Sequence, residues 1–192
     1  MEKNPVILLG ISGGIAAYKA VEVASRLKKE NFRVYTVMTP SACEFVQPLS
    51  FEAVTINPVI TTIFPKTHSG IMHETFPHLY PASEAEAMII LPASADILAK
   101  IAHGFADDAV CGSALGTSPD CLRFFCPAMN ANMWSKEAVQ KNVRTLTEQG
   151  WIQIGPDSGM QACGTTGTGR MSEPAQIVDI LLDHLARKRN RE

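Results

Sequence analysis

The sequence predicts an α/β fold in which a parallel β-sheet carries helices on both faces. Short apolar runs bounded by glycine or proline alternate along the chain with longer segments whose apolar residues recur at helical spacing. Strands that alternate with helices form parallel sheets, because each helix returns the chain to the same edge of the sheet. The expected architecture is the three-layer, Rossmann-like or flavodoxin-like one. A chain of 192 residues supplies one sizeable core, so residues 1–192 are predicted to form a single domain.

The first half of the chain begins with a strand and a helix. Pro5 to Ile11 is a continuous apolar run, which is typical of a strand buried on both faces. The apolar residues from Ala17 to Leu27 lie along one helical face. Arg33 to Thr39 is predicted to be the second strand, Ala42 to Val54 is weakly helical around Pro48, and Val59 to Phe64 is a candidate third strand.

The second half continues the same alternation. Strands are predicted at Ala87 to Ala93, at Cys121 to Pro127 and, as the last strand, at Trp151 to Gly155. Helices are predicted at Asp96 to Gly104, at Ser135 to Gln149 before a terminating Gly150, and from Pro174 onward. Ala106 to Asp108 is expected to be a solvated loop.

The predicted sheet selects the loops that can bind a ligand. In such sheets the ligand lies outside the carboxyl ends of the strands, at the point where the strand order reverses. The loops at this edge are Ser12 to Ile15, Thr39 to Ala42, Pro92 to Asp96 and Pro127 to Trp134. Two longer segments, Lys66 to Ala85 and Pro156 to Glu173, are predicted to be lids or binding loops because they are too long for simple connections.

The composition argues against several classes of function. The formal net charge of −2 offers no basic surface for nucleic acid. No apolar stretch reaches the ~18 to 20 residues that a membrane span requires, and the amino terminus lacks a secretory h-region. The five cysteines include no CxxC pair and no histidine at zinc spacing, so we expect no metal site and reduced thiols in a cytoplasmic protein.

Two of the selected loops have the chemistry of a phosphate site. Gly13 and Gly14 end a strand and open a helix, so backbone N–H groups and the helix N-terminus can attract an anion. The spacing is neither GxGxxG nor GxxxxGK[ST], and a tight structural turn is an equal alternative. Ser94 is likewise either a helix N-cap or a ligand contact. Together these loops suit a mononucleotide that carries a flat ring.

The order of five motifs points to a known family. The motifs GISGGIAAYK, HLYPASEAEAMIILPASAD, AKIAHGFADD, PAMNANMW and ACGTTGTGRMSEP follow one another in this sequence. The chain resembles the homo-oligomeric, flavin-containing cysteine decarboxylases from about Pro5 to the last helix. The PxMNxxMW pattern at Pro127 to Trp134 is highly specific. The resemblance implies FMN as cofactor, a homotrimer or a dodecamer of trimers, and decarboxylation of 4′-phosphopantothenoylcysteine to 4′-phosphopantetheine in coenzyme A biosynthesis.

The resemblance also implies where the cofactor and substrate bind. The FMN phosphate is expected near Ser12, Gly13, Gly14 and Thr39, and the flavin ring against Pro92, Ala93, Ser94, Ala95 and Ala128. Met129 and Arg170 are expected to contact the substrate, whereas Met133 and Trp134 are expected to pack in the core.

Three residues are implied to be catalytic. His78 matches the family's essential histidine, Asn130 the asparagine that holds the substrate carboxylate, and Cys163 the cysteine of a flap that closes over the substrate. Loss of CO2 from a cysteine needs an electron sink, which arises as a thioaldehyde when FMN takes a hydride from the substrate β-carbon. Cys163 would then protonate the enethiolate so that the hydride can return.

Two positions depart from the family pattern, and rival functions stay open. Asp96 stands where asparagine is usual beside the flavin, and Glu84 stands where tryptophan is common. The rivals are a peptidyl-cysteine decarboxylase that stops at the enethiol, a non-enzymatic flavoprotein that regulates a partner, and a prenyl-FMN synthase-like transferase. Cys163 argues against the first, and its combination with His78 and Asn130 argues against the second. No synthetase sequence follows the last helix, so we expect the stand-alone decarboxylase.

Overall fold

A computed structural model describes residues 4–64, 76–162 and 164–190. The strands are β1 (Val6–Ile11), β2 (Arg33–Met38), β3 (Val59–Ile60), β4 (Ala85–Ala93), β5 (Leu122–Pro127), β6 (Ile152–Gln153), β7 (Asp157–Met160) and β8 (Thr166–Arg170). The helices are α1 (Ala17–Lys29), α2 (Pro40–Cys43), α3 (Pro48–Thr55), α4 (Tyr80–Glu84), α5 (Ala95–Ala102), α6 (Ala109–Leu115), α7 (Ala131–Trp134), α8 (Glu137–Glu148) and α9 (Pro174–Arg189).

The main sheet has six parallel strands in the order β3-β2-β1-β4-β5-β6. Helices cover both faces of this sheet, so the predicted three-layer, flavodoxin-like architecture is confirmed. None of the helices within the described ranges combines the length and the hydropathy of a membrane span.

The central strands are apolar throughout because each face of the sheet packs on a helical layer. Every residue of β1 is buried. Ile7, Leu9 and Ile11 pack in one core with α1, α3 and α9, whereas Val6 and Leu8 pack in the other with α5, α6 and α8. A strand between two cores needs an apolar side chain at every position, which explains the unbroken apolar run in the sequence.

An antiparallel hairpin of β7 and β8 lies inside the segment that the sequence suggested was a long loop. The strand predicted at Trp151 to Gly155 is present as β6, but the prediction that it is the last strand is wrong, because β7 and β8 follow it within Pro156 to Glu173. The hairpin is rich in glycine, and the hydroxyls of Ser158 and Thr168 form a hydrogen bond of 2.8 Å across it. Its residues lack an alternating apolar pattern, so sequence periodicity does not indicate it.

Three other boundaries differ for local reasons. The weak helix expected at Ala42 to Val54 is divided into α2 and α3, because Pro48 occupies the first turn of α3. The candidate strand at Val59 to Phe64 pairs with β2 only over its first two residues. The expected loop ends at Asp108, whose carboxylate accepts a hydrogen bond of 2.9 Å from the Cys111 N–H and so begins α6.

Candidate active site

The strand order reverses between β1 and β4, and Ser12 joins the loops that follow these two strands. The Ser12 Oγ donates to the Pro92 carbonyl oxygen at 2.7 Å and accepts from the Ser94 N–H at 3.0 Å. Ser12 is only 1% exposed, so its hydroxyl joins the two loops through buried hydrogen bonds. The loops selected from the sequence therefore meet at the switch point, where sheets of this type bind ligands.

The turn at Gly13 and Gly14 is tight and leads directly into α1. A Cβ on Gly13 would lie 2.6 Å from the Cβ of Ser41 in α2, so a larger residue would push the two loops apart. The Gly14 carbonyl oxygen accepts from the Ala17 N–H at 2.9 Å as α1 begins. The first N–H groups of a helix have no partner within the helix, and the helix dipole makes this end positive. A phosphate group suits this turn.

Three predicted site residues are N-caps of helices that begin directly after strands. The side chains of Thr39, Ser94 and Asn130 each accept a hydrogen bond from a backbone N–H two or three residues later, at 3.1, 3.3 and 2.8 Å. The cap interpretation of Ser94 is therefore correct. In Asn130 the accepting atom is Oδ1, so the donor groups of this amide are on Nδ2, which carries the chemistry needed to bind a carboxylate.

The residues expected beside a flavin ring are small and line the same edge. Pro92 and Ala93 are buried, whereas Ser94, Ala95 and Ala128 are half-buried. The Ala128 N–H donates to the Ala93 carbonyl oxygen at 3.0 Å, so the loops after β4 and β5 are also joined. Small side chains leave the backbone open to a flat ligand.

The loop after β5 carries its larger side chains on the outside. Met133 is 46% exposed, so the expectation that it lies in the core is wrong. Trp134 is half-buried and packs against the core that contains α5 and α8, as expected. The four-residue helix α7 is too short to bury both side chains, which explains the difference.

The β7–β8 hairpin is docked on the loop that contains Asn130. The Met129 N–H donates to the Gly169 carbonyl oxygen at 2.9 Å. Gly169 has a φ of +151°, and a Cβ at this position would lie 2.2 Å from the Met129 carbonyl oxygen. Only glycine permits this close approach, because it has no Cβ and tolerates the backbone conformation.

The substitution Gly169→Ala is expected to destabilise the protein by about 3 kcal/mol or more, through backbone strain and displacement of the hairpin. Gly104→Ala is the matched control, since Gly104 also has a positive φ of +71° but no atom within 4 Å of a built Cβ. The control should lose only about 1–2 kcal/mol. Urea unfolding of both variants measures the difference, and equal losses would contradict the close contact.

His78 is anchored on α6, in a half-buried position. The Ser113 hydroxyl donates to the His78 carbonyl oxygen at 2.8 Å, and the imidazole Cδ2 would lie 3.1 Å from a Cβ built on Gly112. On the same helix, Val110 lies 3.0 Å from a Cβ built on Gly10 near the carboxyl end of β1. Helix α6 therefore contacts both His78 and the carboxyl-terminal half of β1.

The imidazole of His78 is uncharged near neutral pH and has one ring nitrogen without a partner among the described residues. Burial lowers the pKa of His78 below its usual value, so the neutral ring predominates at pH 7. Its Nδ1 is buried and has no hydrogen-bond partner among the described residues. A buried ring nitrogen in this state is costly unless a ligand or another chain supplies its partner.

Arg170 lies at the base of the hairpin in a network with Lys19 and Glu173. Arg170 Nη2 and Lys19 Nζ both contact Glu173 Oε1, at 3.1 and 2.8 Å. The hydrogen bond from Lys19, followed by the charge of both cations, lowers the pKa of the Glu173 carboxyl. The carboxylate joins α1 to the end of β8, and the three side chains together carry one net positive charge.

The two positions that depart from the family pattern are both ion-paired. Asp96 has a side chain 75% exposed and lies 3.6 Å from Lys100 Nζ, which also contacts Asp107 and Asp108 at 3.0 and 3.5 Å. Hydrogen bonding to Asp107 and the other acidic charges raise the pKa of Lys100. The Asp96 carboxylate is therefore turned to solvent, and it shares the single positive charge of Lys100 with two other carboxylates. Glu84 forms an ion pair with Arg33 at 3.3 Å.

The cysteines within the described residues have the properties of structural thiols. Cys111, Cys121 and Cys126 are buried, Cys43 is half-buried, and all four are free. Burial raises the pKa of each thiol, in the case of Cys121 to about 11. Cys163, predicted to be catalytic, lies outside the described residues.

The site thus contains most of the predicted residues at one edge of the sheet. The loops with Ser12 to Gly14, Pro92 to Ala95 and Ala128 to Asn130 are joined to one another by hydrogen bonds, and Thr39 caps the helix that packs against Gly13. Gln161, which contacts the backbone on both sides of Asn130, was not among the predicted residues. Its two neighbours in the fold are distant in sequence, so no local motif could indicate it.

The residues present fit a flavin mononucleotide. The tight Gly13–Gly14 turn at the start of α1 suits its phosphate, and the small half-buried side chains suit its flat ring. The fold and this site are typical of nucleotide-binding α/β proteins, in which the ligand binds at the switch point of the sheet.

The chain belongs to the flavoprotein family, whose model matches residues 1–186. It is 41% identical over 184 residues to the coenzyme A biosynthesis bifunctional protein CoaBC of Haemophilus influenzae, covering 96% of this chain and 44% of that protein. The chain thus spans less than half the length of this bifunctional relative. It is 35% identical over 179 residues to the probable phosphopantothenoylcysteine decarboxylase of Streptococcus mutans, covering 93% of this chain and 98% of that protein.

Solved structures share the same fold. A cysteine-to-serine mutant of PPC decarboxylase, complexed with pantothenoylaminoethenethiol, superposes with a TM-score of 0.82 at 27% identity, covering 94% of this chain and 98% of the other. The FMN-dependent cysteine decarboxylase SpaF superposes with a TM-score of 0.78 at 30% identity, covering 96% and 98% of the two chains.

Proposed function

We propose that the protein is an FMN-dependent carboxy-lyase that converts 4′-phosphopantothenoylcysteine to 4′-phosphopantetheine in coenzyme A biosynthesis. The observation that carries the proposal is the position of Asn130, which caps the helix after β5, beside the loop that follows β4, and has amide donors suited to a carboxylate. The similarity to the Streptococcus mutans decarboxylase over 98% of that protein supports the reaction. Four free thiols among the described residues suit a reducing, cytoplasmic environment.

We propose that one FMN binds per domain, with its phosphate at Gly13 and Gly14. The backbone N–H groups there and the first turn of α1 provide the attraction for the phosphate. Thr39 and Ser12 flank the same turn, although the Ser12 hydroxyl is already bonded to the β4 loop, so its role is to shape the site. The ring would lie against Pro92 to Ala95 and Ala128, which are small and joined by backbone hydrogen bonds.

The chain's own residues would bind the substrate and control its protons. When bound, FMN supplies the reversible hydride transfer that cysteine decarboxylation requires. Asn130 would donate a hydrogen bond to the substrate carboxylate, and a neutral amide holds that group without the full attraction of a cation that would oppose its loss as CO2. His78, neutral at pH 7, can accept the proton that leaves the substrate thiol as the β-carbon is oxidised.

The second half of the reaction would depend on an acid. After CO2 leaves, the product is an enethiolate that must gain a proton on its α-carbon before a hydride can return to the β-carbon. We propose that Cys163 donates this proton. Arg170 and Met129, at the base of the hairpin and in the loop of Asn130, would contact the remainder of the substrate, with Arg170 suited to its phosphate.

Three substrates test this proposal in the purified, FMN-loaded protein. They are 4′-phosphopantothenoylcysteine, its form without phosphate, and a peptide that ends in cysteine. Release of CO2 is expected to be fastest from the phosphorylated substrate, with the lowest KM. Preference for the peptide would favour a peptidyl-cysteine decarboxylase. If the protein retains its flavin but turns over none of the three substrates, a non-enzymatic flavoprotein is favoured.

We also propose that the active protein is a homotrimer or a dodecamer of trimers, with FMN at the subunit boundary. The edge of the sheet that carries the site is rimmed by exposed apolar side chains. Ile15 and Tyr18 are each 60% exposed after β1, and Phe45 and Leu49 are 52% and 69% exposed after β2. An apolar rim of this kind is costly in water and favours burial against a second copy. A second copy could also supply the hydrogen-bond partner that the Nδ1 of His78 lacks among the described residues.

The double substitution Phe45→Asp with Leu49→Asp is expected to yield monomers that lose FMN. The chain should still fold, because Leu49 is exposed in the first turn of α3, where an acidic side chain is tolerated. Ile56→Asp is the matched control, since Ile56 is 79% exposed near the opposite edge of the sheet. Light scattering measures the mass of each, and an active monomeric wild-type protein would contradict the proposal.

A further inference from the structure

Gln161 connects the hairpin to the loop of Asn130 through both ends of its side-chain amide. Nε2 donates to the Met129 carbonyl oxygen at 3.2 Å, and Oε1 accepts from the Ala131 N–H at 3.0 Å. These two backbone groups lie on either side of Asn130. The amide therefore pairs with the Asn130 segment in the way that a neighbouring strand would.

The position of Gln161 is itself fixed. The residue is 9% exposed, in the turn between β7 and β8. Its backbone N–H donates to the Thr165 carbonyl oxygen at 2.8 Å, and its carbonyl oxygen accepts from the Gly164 N–H at 2.9 Å. The Thr165 hydroxyl also donates to Oε1 at 3.2 Å. Such a turn holds the side chain rigidly against its two partners.

The contact between the hairpin and the backbone around Asn130 needs a donor and an acceptor on a side chain of one particular length. The side-chain amides of glutamine and asparagine offer both on one carbon atom in a flat group, and asparagine is one methylene shorter. A buried amide whose donor and acceptor are both used is rigid, whereas a buried amide that loses a partner is destabilised. Together with the Met129 N–H bond to Gly169, Gln161 fixes the peptide groups that surround Asn130.

We propose that Gln161 is a positioning residue that orients the Asn130 amide toward the substrate carboxylate and so sets the preference for carboxylate-bearing ligands. This inference rests on the proposed function. Its expected signature is selective: loss of the Gln161 contacts weakens the binding of a ligand with a carboxylate and leaves the binding of one without it unchanged. If Gln161 served only to pack the hairpin, loss of its contacts would weaken the binding of both ligands.

Two unreactive ligands separate these cases in the FMN-loaded protein. 4′-Phosphopantothenoylserine keeps the carboxylate and replaces the thiol with a hydroxyl, and 4′-phosphopantothenoylethanolamine also lacks the carboxylate. Gln161→Met, which has a similar length and no amide, is expected to bind the serine compound about tenfold more weakly, the loss of roughly one charge-assisted hydrogen bond. Its Kd for the ethanolamine compound, measured by calorimetry, should change less than about twofold.

A second background tests whether Gln161 acts through Asn130. In Asn130→Ala the serine compound already binds weakly, and the addition of Gln161→Met should weaken it no further, because coupled residues are not additive. If Gln161→Met fails to retain flavin, Gln161→Asn, which keeps the amide but shortens its reach, should show the same selective loss.

The outcomes are distinct. Equal weakening of both compounds, unchanged binding of both, or additive losses with Asn130→Ala would overturn the positioning role while the proposed reaction stands. A wild-type protein that does not prefer the serine compound to the ethanolamine compound would overturn the proposed function and this inference with it.

Discussion

Replacing His78 with asparagine is expected to lower kcat by about 10²- to 10⁴-fold, the usual contribution of a general base or acid. The change should leave folding and FMN binding intact, because His78 is half-buried outside the strands and is held through its backbone by Ser113. Asparagine keeps a polar group of similar length but cannot accept a proton near neutral pH. Single-turnover and steady-state kinetics measure the loss.

The pH profile provides a second readout for His78. Burial lowers its pKa, and the neutral ring is the form that accepts a proton, so activity should be lost as the pH falls through the depressed pKa. The acid limb of kcat/KM is therefore expected below about pH 6.5 in the wild-type protein. His103→Asn, at an exposed helix end, should leave both the rate and this limb unchanged. Normal activity in His78→Asn would show that another group does this work.

Cys163→Ser is expected to change the product. The variant should still oxidise and decarboxylate 4′-phosphopantothenoylcysteine, and then stall with reduced flavin and an enethiol that has two hydrogens fewer than 4′-phosphopantetheine. Serine has a similar shape, but its hydroxyl is a far weaker acid than an ordinary thiol, which ionises near pH ~8.5. Mass spectrometry of the released product and the absorbance of the flavin both record the stall.

Cys121→Ala is the matched control for this change. Cys121 is a buried thiol directly before β5, at the edge of the sheet opposite the site, and should affect stability alone. Production of 4′-phosphopantetheine by Cys163→Ser at the normal rate would mean that Cys163 is not the proton donor.

The main sheet could be predicted because its physical signals are local. A strand between two helical layers must be apolar at every position, as in β1, and the helices that cover it show apolar residues at helical spacing. The β7–β8 hairpin shows neither signal. Its strands consist largely of glycine and hydroxyl residues, and they are held by docking on Met129, which is distant in sequence.

The candidate site was predictable in its loops and less so in its details. The rule that ligands lie at the carboxyl ends of parallel strands selected loops that the structure joins through Ser12 and Ala128. The rule could not indicate Gln161, since its contact with the Asn130 segment spans about thirty residues of chain. Nor could it show that Asp96 turns to solvent beside Lys100, because charge pairing depends on side-chain geometry.

We propose that the protein removes CO2 from 4′-phosphopantothenoylcysteine with no net oxidation. The direct test is mass spectrometry of the product that the purified, FMN-loaded wild-type protein forms from this substrate with no added reductant or oxidant. We expect 4′-phosphopantetheine, which has lost CO2 and nothing else, with oxidised flavin after each turnover. A product that has also lost two hydrogens, or unchanged substrate beside a fully bound flavin, would contradict the proposed reaction.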